Sequence, residues 1–467
     1  MRKKIFYGLT IYFLMLAFFS MAVTGAVYAQ PKNQSKSKPN DKAKKLVQEG
    51  NGLFGKKDYH GAINKYAEAI VISPNYSDAH FWKGYAHYYL NEFDASAEEL
   101  DTAYNQGYKP IDIYELRWYV YFQKQNYDAA LKDVQEGLRI EPNDNNLISA
   151  NAEILVRKGN YKEAIPALEK AILKTPNNGD LYYFLALSYA QTNDVAHQES
   201  SANESIKKNS NYIGESYALI GDALQKSKKP NEAIIAYERA LNVKPELEFV
   251  YAALSDIYRS QARLNEAIAT ARKGIKLYPN NGDLLVALTW YYSLADRPID
   301  AVAVGMQAIK IEPNNAMAYT NLCRAYNDSK QYSLAISVCN DALKLNPNDG
   351  ETNFYIARAY DFSEKPDAAT PYYDKAVTGL LETTRSNPEY SDGFYLLGNA
   401  YYAQKKYNDA IDAYKKCLQL SPKFTKAIFN LAVSYWKNNN KDAATEQYKL
   451  LQRLDSNLSD QLKQVLK

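Results

Sequence analysis

Apolar and polar residues follow the period of an α-helix along most of the chain, and the helical segments come in pairs. In residues 391–424, Leu397 and Tyr401 share one face of a first segment, while Ala410 and Tyr414 share one face of a second. The pattern therefore predicts amphipathic helices that pack together as antiparallel pairs.

Prolines separate the predicted helix pairs, since proline cannot continue a helix. They lie at Pro74, Pro142, Pro176, Pro245, Pro279, Pro313, Pro347, Pro388 and Pro422. Five of the gaps between them are 34 residues, two are close to twice that length, and one is 41. Repetition with such a period is typical of solenoids, in which each repeat packs on its neighbours. We therefore predict an all-α fold of about twelve helix pairs.

The predicted repeats cover residues 43–458, and residues 459–467 are predicted to form a capping helix. The repeat bounds are 43–76, 77–110, 111–144, 145–178, 179–213, 214–247, 248–281, 282–315, 316–349, 350–390, 391–424 and 425–458. Position 20 of the repeat is alanine in ten of the twelve, and positions 8 and 27 are often small. Small residues at fixed positions let two helices approach closely, and aromatic residues fill the space beside them.

The eleventh repeat carries a complete motif, formed by Leu397-Gly398, Tyr401, Ala410, Tyr414 and Pro422. This motif resembles the signature of the tetratricopeptide repeat (TPR) family, and the resemblance covers about residues 43–458. It implies a right-handed superhelical solenoid. It also implies that the first helices of the pairs line a concave groove that binds peptides.

Three repeats depart from the pattern. Trp118 occupies position 8 of the third repeat, which should be small, so we expect that repeat to open or tilt locally. The fifth repeat has Gln198 in place of the alanine and few apolar residues nearby, so we expect a weak second helix and a soft point. The tenth repeat has seven extra residues before Pro388, close to two helical turns, so we expect its second helix to lengthen.

The first 29 residues have the features of an export signal. Arg2, Lys3 and Lys4 precede a long apolar stretch, and Ala29 ends a segment suited to a signal peptidase. The alternative is an uncleaved membrane anchor formed by residues 5–29, because the apolar stretch is longer than a typical signal core. Residues 30–42 are polar and are predicted to be a flexible linker. Either form predicts an extracytoplasmic location, periplasmic or secreted.

The charge balance and the motif content exclude several classes of function. Apart from the three leader cations, the chain has 53 basic and 53 acidic side chains, so we expect no nucleic-acid partner. His80 and His87 are about 10 Å apart on one predicted helix, too far to share a metal ion. The sequence contains no phosphate-binding glycine loop and no catalytic motif. We therefore predict that the protein is not an enzyme and holds no metal or cofactor.

Three cysteines occur, at Cys323, Cys339 and Cys417. All of them occupy positions where small or apolar packing residues belong, so we predict buried free thiols. A disulfide between Cys323 and Cys339 is the alternative, because their positions face each other across one helix pair.

The groove that the resemblance implies would be lined by two groups of side chains. The N-terminal group is aromatic and the C-terminal group combines arginines with aromatic and amide side chains. The predicted partner-binding residues are Phe81, Trp82, Tyr85, Tyr89, Tyr119, Phe122, Arg324, Phe354, Arg358, Tyr395, Asn399, Phe429 and Asn430. Exposed aromatic residues are good interface anchors, but these rings could equally pack against adjacent repeats.

Arg324 and Arg358 could receive a carboxylate or an acidic peptide. The alternative is that Asp328 and Asp361 neutralise them within the groove. Taken together, the residues predict a scaffold that binds a protein or peptide, and it could belong to a multiprotein complex. A second hypothesis is a structural part of an envelope machine that assembles or exports pili, outer-membrane proteins or polysaccharide.

Overall fold

The structure, a computed structural model, describes residues 39–466, and all regular secondary structure in this range is α-helical. The chain divides into two compact units, one ending at residue 247 and the other beginning at residue 248. Below they are called the N-terminal unit and the C-terminal unit. The prediction of an all-α fold built from helix pairs is confirmed.

The N-terminal unit contains six helix pairs, in each of which a first helix packs against the second helix that follows it. Its helices are α1 (Asp41–Gly55), α2 (Tyr59–Ile72), α3 (Ser77–Tyr89), α4 (Phe93–Asn105), α5 (Ile111–Gln123), α6 (Tyr127–Ile140), α7 (Asn145–Arg157), α8 (Tyr161–Lys174), α9 (Gly179–Thr192), α10 (Val195–Lys207), α11 (Ile213–Lys226) and α12 (Pro230–Val243).

The C-terminal unit contains another six pairs and one terminal helix. Its helices are α13 (Glu248–Ser260), α14 (Leu264–Leu277), α15 (Gly282–Leu294), α16 (Pro298–Ile311), α17 (Ala316–Asp328), α18 (Tyr332–Leu345), α19 (Gly350–Phe362), α20 (Pro366–Ser386), α21 (Ser391–Ala403), α22 (Tyr407–Leu420), α23 (Thr425–Lys437), α24 (Lys441–Leu454) and α25 (Ser456–Val465).

Glycine at position 8 of several repeats makes room for a tyrosine on the facing helix. A Cβ atom at Gly50 would lie 2.5 Å from the ring of Tyr66, and one at Gly398 would lie equally close to the ring of Tyr414. Both tyrosine rings are almost completely buried. The predicted close approach of small and aromatic positions is therefore confirmed in these pairs.

The turn between the two helices of each pair has one residue with a positive φ angle. These residues are Lys57, Asn91, Gln125, Gly159, Asn193, Lys228, Ala262, Asp296, Lys330, Glu364, Lys405 and Asn439. In each pair it is position 15 of the repeat, so all twelve turns share one backbone conformation. Glycine, which adopts this conformation without strain, occurs only at Gly159.

Trp118 lies opposite a smaller residue in the third pair, and the expected local opening or tilt of this repeat stays a prediction. Position 24 on the facing helix, where Tyr66 stands in the first pair, is Val134 in the third. Trp118 packs against the cluster that contains Val134 and Leu147. A large residue on one helix is thus offset by a small one on the other, which conserves the packed volume.

The second helix of the fifth pair, α10, forms despite its polar sequence. The amide nitrogen of Gln198 donates to the backbone oxygen of Leu219 at 2.8 Å and to the carboxylate of Asp222 at 2.9 Å. The hydroxyls of Ser205 and Ser216 are 2.9 Å apart in the same interface. Hydrogen bonds to α11 therefore replace part of the apolar packing, and the softness of this pair stays a prediction.

The extra residues of the tenth pair lengthen α20 to 21 residues, as expected. The longer helix crosses the start of α19 at Gly379 and Gly350. A Cβ atom at Gly379 would lie 2.5 Å from the backbone oxygen of Asn348 and 2.7 Å from the backbone nitrogen of Gly350. The two backbones can approach this closely only because neither residue has a side chain.

The ends of the described range refine the predicted linker and cap. Helix α1 begins at Asp41, and the Asn40 side chain accepts a hydrogen bond from the backbone of Lys42 at 2.8 Å. The linker predicted over residues 30–42 is therefore wrong in its last two residues, which are helical. The predicted leader lies outside the described residues. At the other end, α25 buries Leu462 in a cluster on the twelfth pair.

Cys323 and Cys339 form a disulfide between α17 and α18, with their Cα atoms 5.4 Å apart. The prediction of two free thiols is wrong, and the alternative is correct. The two cysteines occupy the facing positions that Gly50 and Tyr66 hold in the first pair, so their side chains point at each other. Cys417 is buried and free, as predicted.

Reduction of this disulfide is expected to lower the free energy of unfolding of the C-terminal unit by about 3 kcal/mol, because the unfolded chain gains conformational entropy when the bond is broken. The two cysteines are 16 residues apart in the sequence. Urea unfolding with and without a reductant measures the effect. The Cys417→Ala variant should keep the sensitivity to the reductant, and the Cys323→Ala/Cys339→Ala variant should lose it. Reductant-independent stability of the unsubstituted protein would contradict the prediction.

Candidate partner-binding face

First helices of successive pairs contact each other within each unit. For example, α1 contacts α3 in the N-terminal unit, and α17 contacts α19 in the C-terminal unit. Second helices pack between first helices, as α2 does between α1 and α3. The side of the first helices turned away from the second helices is called the inner face of a unit below. Side chains at positions 2, 5, 9, 12 and 13 of the repeat point toward it.

The inner face of the N-terminal unit has a continuous group of rings, called the aromatic cluster below. Its members are Phe54, Tyr59, Trp82, Tyr85, Tyr88, Tyr89 and Tyr119. Phe54 lies 5.2 Å from Tyr85 and 5.3 Å from Tyr89, measured between ring centroids. Tyr59 stacks on Tyr89 at 5.0 Å. Rings at this spacing are in contact, so the cluster presents a continuous aromatic surface.

Five of the six predicted aromatic residues of the N-terminal unit are at least partly accessible. Tyr89 is 36 % exposed, and Trp82, Tyr85, Tyr119 and Phe122 are half-buried. Each of these rings packs on its neighbours and still reaches the surface, so their role as interface anchors stays a prediction.

Phe81 is wrong as a predicted contact residue, because it is only 3 % exposed. The ring of Tyr108, which follows α4, stacks on it at 4.5 Å. Phe354 in the C-terminal unit is wrong for a similar reason. It is buried against Tyr355 and Tyr373 of its own helix pair.

Acidic side chains border the aromatic cluster, and sequence reasoning missed them. Burial raises the pKa of Asp78 and of Asp112. The pKa of Glu115 is raised to about 7 by burial and by nearby carboxylates, first that of Asp144 and then that of Asp112. The sequence could have identified these residues, because they occupy positions 2 and 5 of their repeats and those positions point toward the inner face. This part of the inner face is therefore acidic as well as aromatic.

The predicted carboxylate-binding role of Arg324 is wrong. The residue is only 8 % exposed, and its guanidinium donates to the carboxylate of Glu351 and to the hydroxyl of Tyr355. Burial raises the pKa of Glu351, and the guanidinium of Arg324 opposes that shift. The alternative of neutralisation within the groove is correct, but the carboxylate comes from α19, the first helix of the next pair.

Arg358 is neutralised by the residue expected in that alternative. Its guanidinium lies 2.9 Å from the Asp328 carboxylate, and both side chains are partly accessible. Asp361 is engaged elsewhere, since it accepts a hydrogen bond from the Tyr373 hydroxyl at 2.6 Å.

One contact in the C-terminal unit joins first helices that are four pairs apart. The Arg259 guanidinium on α13 lies 3.8 Å from the carboxylate of Asp392 on α21. Arg259 also pairs with Asp256 at 2.8 Å and lies over the ring of Trp290, 4.4 Å from its centroid. The inner face of this unit is therefore bridged by its own charged side chains.

The last predicted residues form a hydrogen-bonded group across α21 and α23. The Asn430 amide donates to the Asn399 side chain at 2.8 Å and to the Tyr395 hydroxyl at 3.3 Å. Asn399 also accepts from the Tyr414 hydroxyl at 2.7 Å. Phe429 packs beside the cluster that holds α25. The Asn430 amide nitrogen and the Asn399 side-chain oxygen thus already have partners within the unit.

Within residues 39–466, no group of three or more histidine, cysteine, aspartate or glutamate side chains is arranged to hold a metal ion. His80 and His87 instead contact the carboxylates of Glu99 and Glu92, each at 2.6 Å. Over the same range, every helix is too short or too polar to span a membrane.

Family models match the chain in both units. Models described as tetratricopeptide repeat match residues 121–187, 214–247, 250–281, 316–349, 391–424 and 425–458, and a model described as TPR repeat matches residues 50–103. Together these matches cover more than half of the chain. A curated relative from Saccharomyces cerevisiae, the small glutamine-rich tetratricopeptide repeat-containing protein 2, is 30% identical over 137 residues. The match spans 24% of this chain and only 39% of the relative.

Solved structures similar to this chain share little of its sequence. The Cut9–Hcn1 hetero-tetramer of APC/C is matched at 13% identity and a TM-score of 0.45, over 91% of this chain and 96% of the other. A tetratricopeptide repeat protein from Parabacteroides merdae is matched at 15% identity and a TM-score of 0.46, over 55% and 98%. Yeast Tom70 is matched at 15% identity and a TM-score of 0.40, over 91% and 94%.

Proposed function

This chain belongs to the tetratricopeptide repeat family, and we propose that it is an extracytoplasmic scaffold that binds a protein partner on the inner face of its N-terminal unit. Repeats of this type typically serve protein interactions and not catalysis, which agrees with the absence of catalytic motifs in the sequence.

The aromatic cluster carries the proposal. Tyrosine and tryptophan side chains supply much of the binding energy at protein interfaces, because they combine a large apolar surface with a polar group. Tyr85, Tyr89 and Tyr119 lie together on one face and are accessible. The inner face of the C-terminal unit supports the same choice of site, because its charged residues already pair with one another.

Two observations support an extracytoplasmic location. The first 29 residues have the composition of an export signal, with three cations before an apolar stretch. The disulfide between Cys323 and Cys339 is a bond that persists mainly in oxidising compartments.

Site-specific photo-cross-linking in the native host tests the proposal. A benzoylphenylalanine at position 89 is expected to cross-link one defined protein, identified by mass spectrometry, because Tyr89 is the most exposed ring of the cluster. The matched control places the same photo-reactive residue at position 71, since Val71 is 81 % exposed on the second helix α2.

Combining the cross-linker at position 89 with Tyr85→Ala and Tyr119→Ala should remove the cross-link while leaving the helical content unchanged. Equal cross-linking from positions 71 and 89, or a cross-link that survives both substitutions, would reject this face as the binding site. The identity of the partner separates the two roles. A subunit of an envelope complex would favour the alternative of an assembly or export component.

A further inference from the structure

The acidic residues beside the aromatic cluster share its face. Asp112, Glu115 and Tyr119 are separated by three and four residues on α5, so all three side chains lie along one side of that helix, within about 10 Å. On the adjacent first helix α7, Glu153 is close enough to Tyr119 to contribute to its raised pKa, after the larger effect of burial. The rings and the carboxylates therefore form one continuous surface.

Part of this negative charge is not neutralised by the N-terminal unit itself. Asp78, Asp112 and Glu115 have no cationic side chain within ion-pairing distance among residues 39–466. Two nearby cations already have carboxylate partners. Lys83 pairs with Glu99, and Arg117 pairs with Asp133, each at 2.6 Å. The surface therefore has an excess of negative charge next to the exposed rings.

The arrangement around Glu115 is unfavourable for the fold. Its pKa of about 7 means that the folded protein holds its negative charge at a cost, because the site is partly buried and other carboxylates are near. A carboxyl group perturbed by burial and neighbouring charges on an accessible face is a candidate functional group. A cation from another molecule would remove the cost.

The chain itself shows the contact that such a cation can make. The Arg157 guanidinium lies over the rings of Phe122 and Phe184, at 5.9 and 5.6 Å from their centroids. It also pairs with the carboxylate of Glu153 at 3.3 Å. An arginine beside Tyr119 and Glu115 would find the same combination of ring and carboxylate.

We propose that the inner face of the N-terminal unit binds a basic, extended segment of the partner protein, whose arginine or lysine side chains pair with Asp112 and Glu115 and lie over the ring of Tyr119. This inference rests on the proposed function, which places the partner on this face. Charge complementarity selects the occupant, since the uncompensated groups are carboxylates and the adjacent rings attract cations.

Fluorescence anisotropy with three synthetic peptides tests the inference. The first is a fluorescein-labelled peptide of about 12 residues with alternating arginine and alanine, long enough to span about 40 Å when extended. The second replaces each arginine with citrulline, which has a similar shape but no charge, and the third replaces each arginine with glutamate. The full-length protein is expected to bind the arginine peptide at least about tenfold more tightly than either analogue at low salt.

Matched variants locate the binding. Asp112→Asn/Glu115→Gln and, separately, Tyr119→Ala are each expected to weaken binding of the arginine peptide by about tenfold or more. The control Glu98→Gln/Glu232→Gln removes the same number of charges from exposed positions on α4 and α12 and should bind like the unsubstituted protein. Thermal unfolding checks that every variant is folded.

Equal binding of the citrulline peptide, or equal weakening in the control variant, would overturn the inference. Cross-linking from position 89 separates this failure from that of the proposed function. If the specific cross-link persists while the arginine peptide fails to bind, the partner occupies this face through another chemistry. If the cross-link and the binding of the arginine peptide are both absent, this face is not the binding site, and the proposed function and the inference are both rejected.

Discussion

Replacing Gly379 with valine is expected to destabilise the C-terminal unit by more than about 3 kcal/mol. A side chain at this position would meet the backbone of Asn348 and Gly350 at 2.5–2.8 Å, and backbone atoms cannot rotate away as a flexible side chain can. Helix α20 would have to separate from the start of α19. Urea unfolding, followed by circular dichroism, measures the loss.

Gly52→Ala is the control for this prediction. A Cβ atom at Gly52 would have no neighbouring atom within 4 Å, and alanine favours a helix more than glycine does. This variant should be neutral or more stable by up to about 1 kcal/mol. A Gly379→Val protein as stable as the unsubstituted one would show that the two helices do not need this crossing.

Replacing Arg324 with leucine is expected to cost about 3–5 kcal/mol at pH 8, because Glu351 would keep a largely buried charge without its partner. Glu351 would then have a folded-state pKa raised further above its unfolded value. The penalty would therefore be full at high pH and would shrink as the pH falls through the folded-state pKa toward the unfolded one, since the carboxyl group can take up a proton. Denaturant unfolding between about pH 8 and pH 5 measures this trend.

The double variant Arg324→Leu/Glu351→Gln is the matched control, because it removes both charges. It should recover a large part of the stability that the single variant loses, and its stability should depend less on pH. A single variant that is as stable as the double variant at pH 8 would contradict the interpretation of this pair as a buried ion pair.

Local features of the fold were predictable from the sequence. The period of the prolines and of the small residues marks the helix pairs, because each pair must contain the same contacts. The lengthening of α20 followed from seven added residues, since a helix that gains two turns keeps the same face inward. Gly50 and Tyr66 face each other at fixed positions of one repeat, so their contact could be inferred as well.

The inner face was harder to predict, because the exposure of each side chain depends on residues in other repeats. Phe81 is covered by Tyr108, which lies in the connection to the next pair. Arg324 is neutralised from the following pair, and Arg259 contacts a residue 133 positions further along the chain. The facing positions of Cys323 and Cys339 could be read from the repeat, but the sequence did not decide between a disulfide and two packed thiols. Thus the repeat pattern determines which side chains can reach the inner face but not which of them stay free there.

The contact between Arg259 and Asp392 has a mechanical consequence for the C-terminal unit. A coil of helix pairs lengthens under tension as a spring does, by small changes at each interface between neighbours. A bridge between α13 and α21 joins two points of the coil directly, so part of an applied load bypasses the interfaces between them. Since the bridge is an ion pair, the stiffness that it adds decreases as the salt concentration rises.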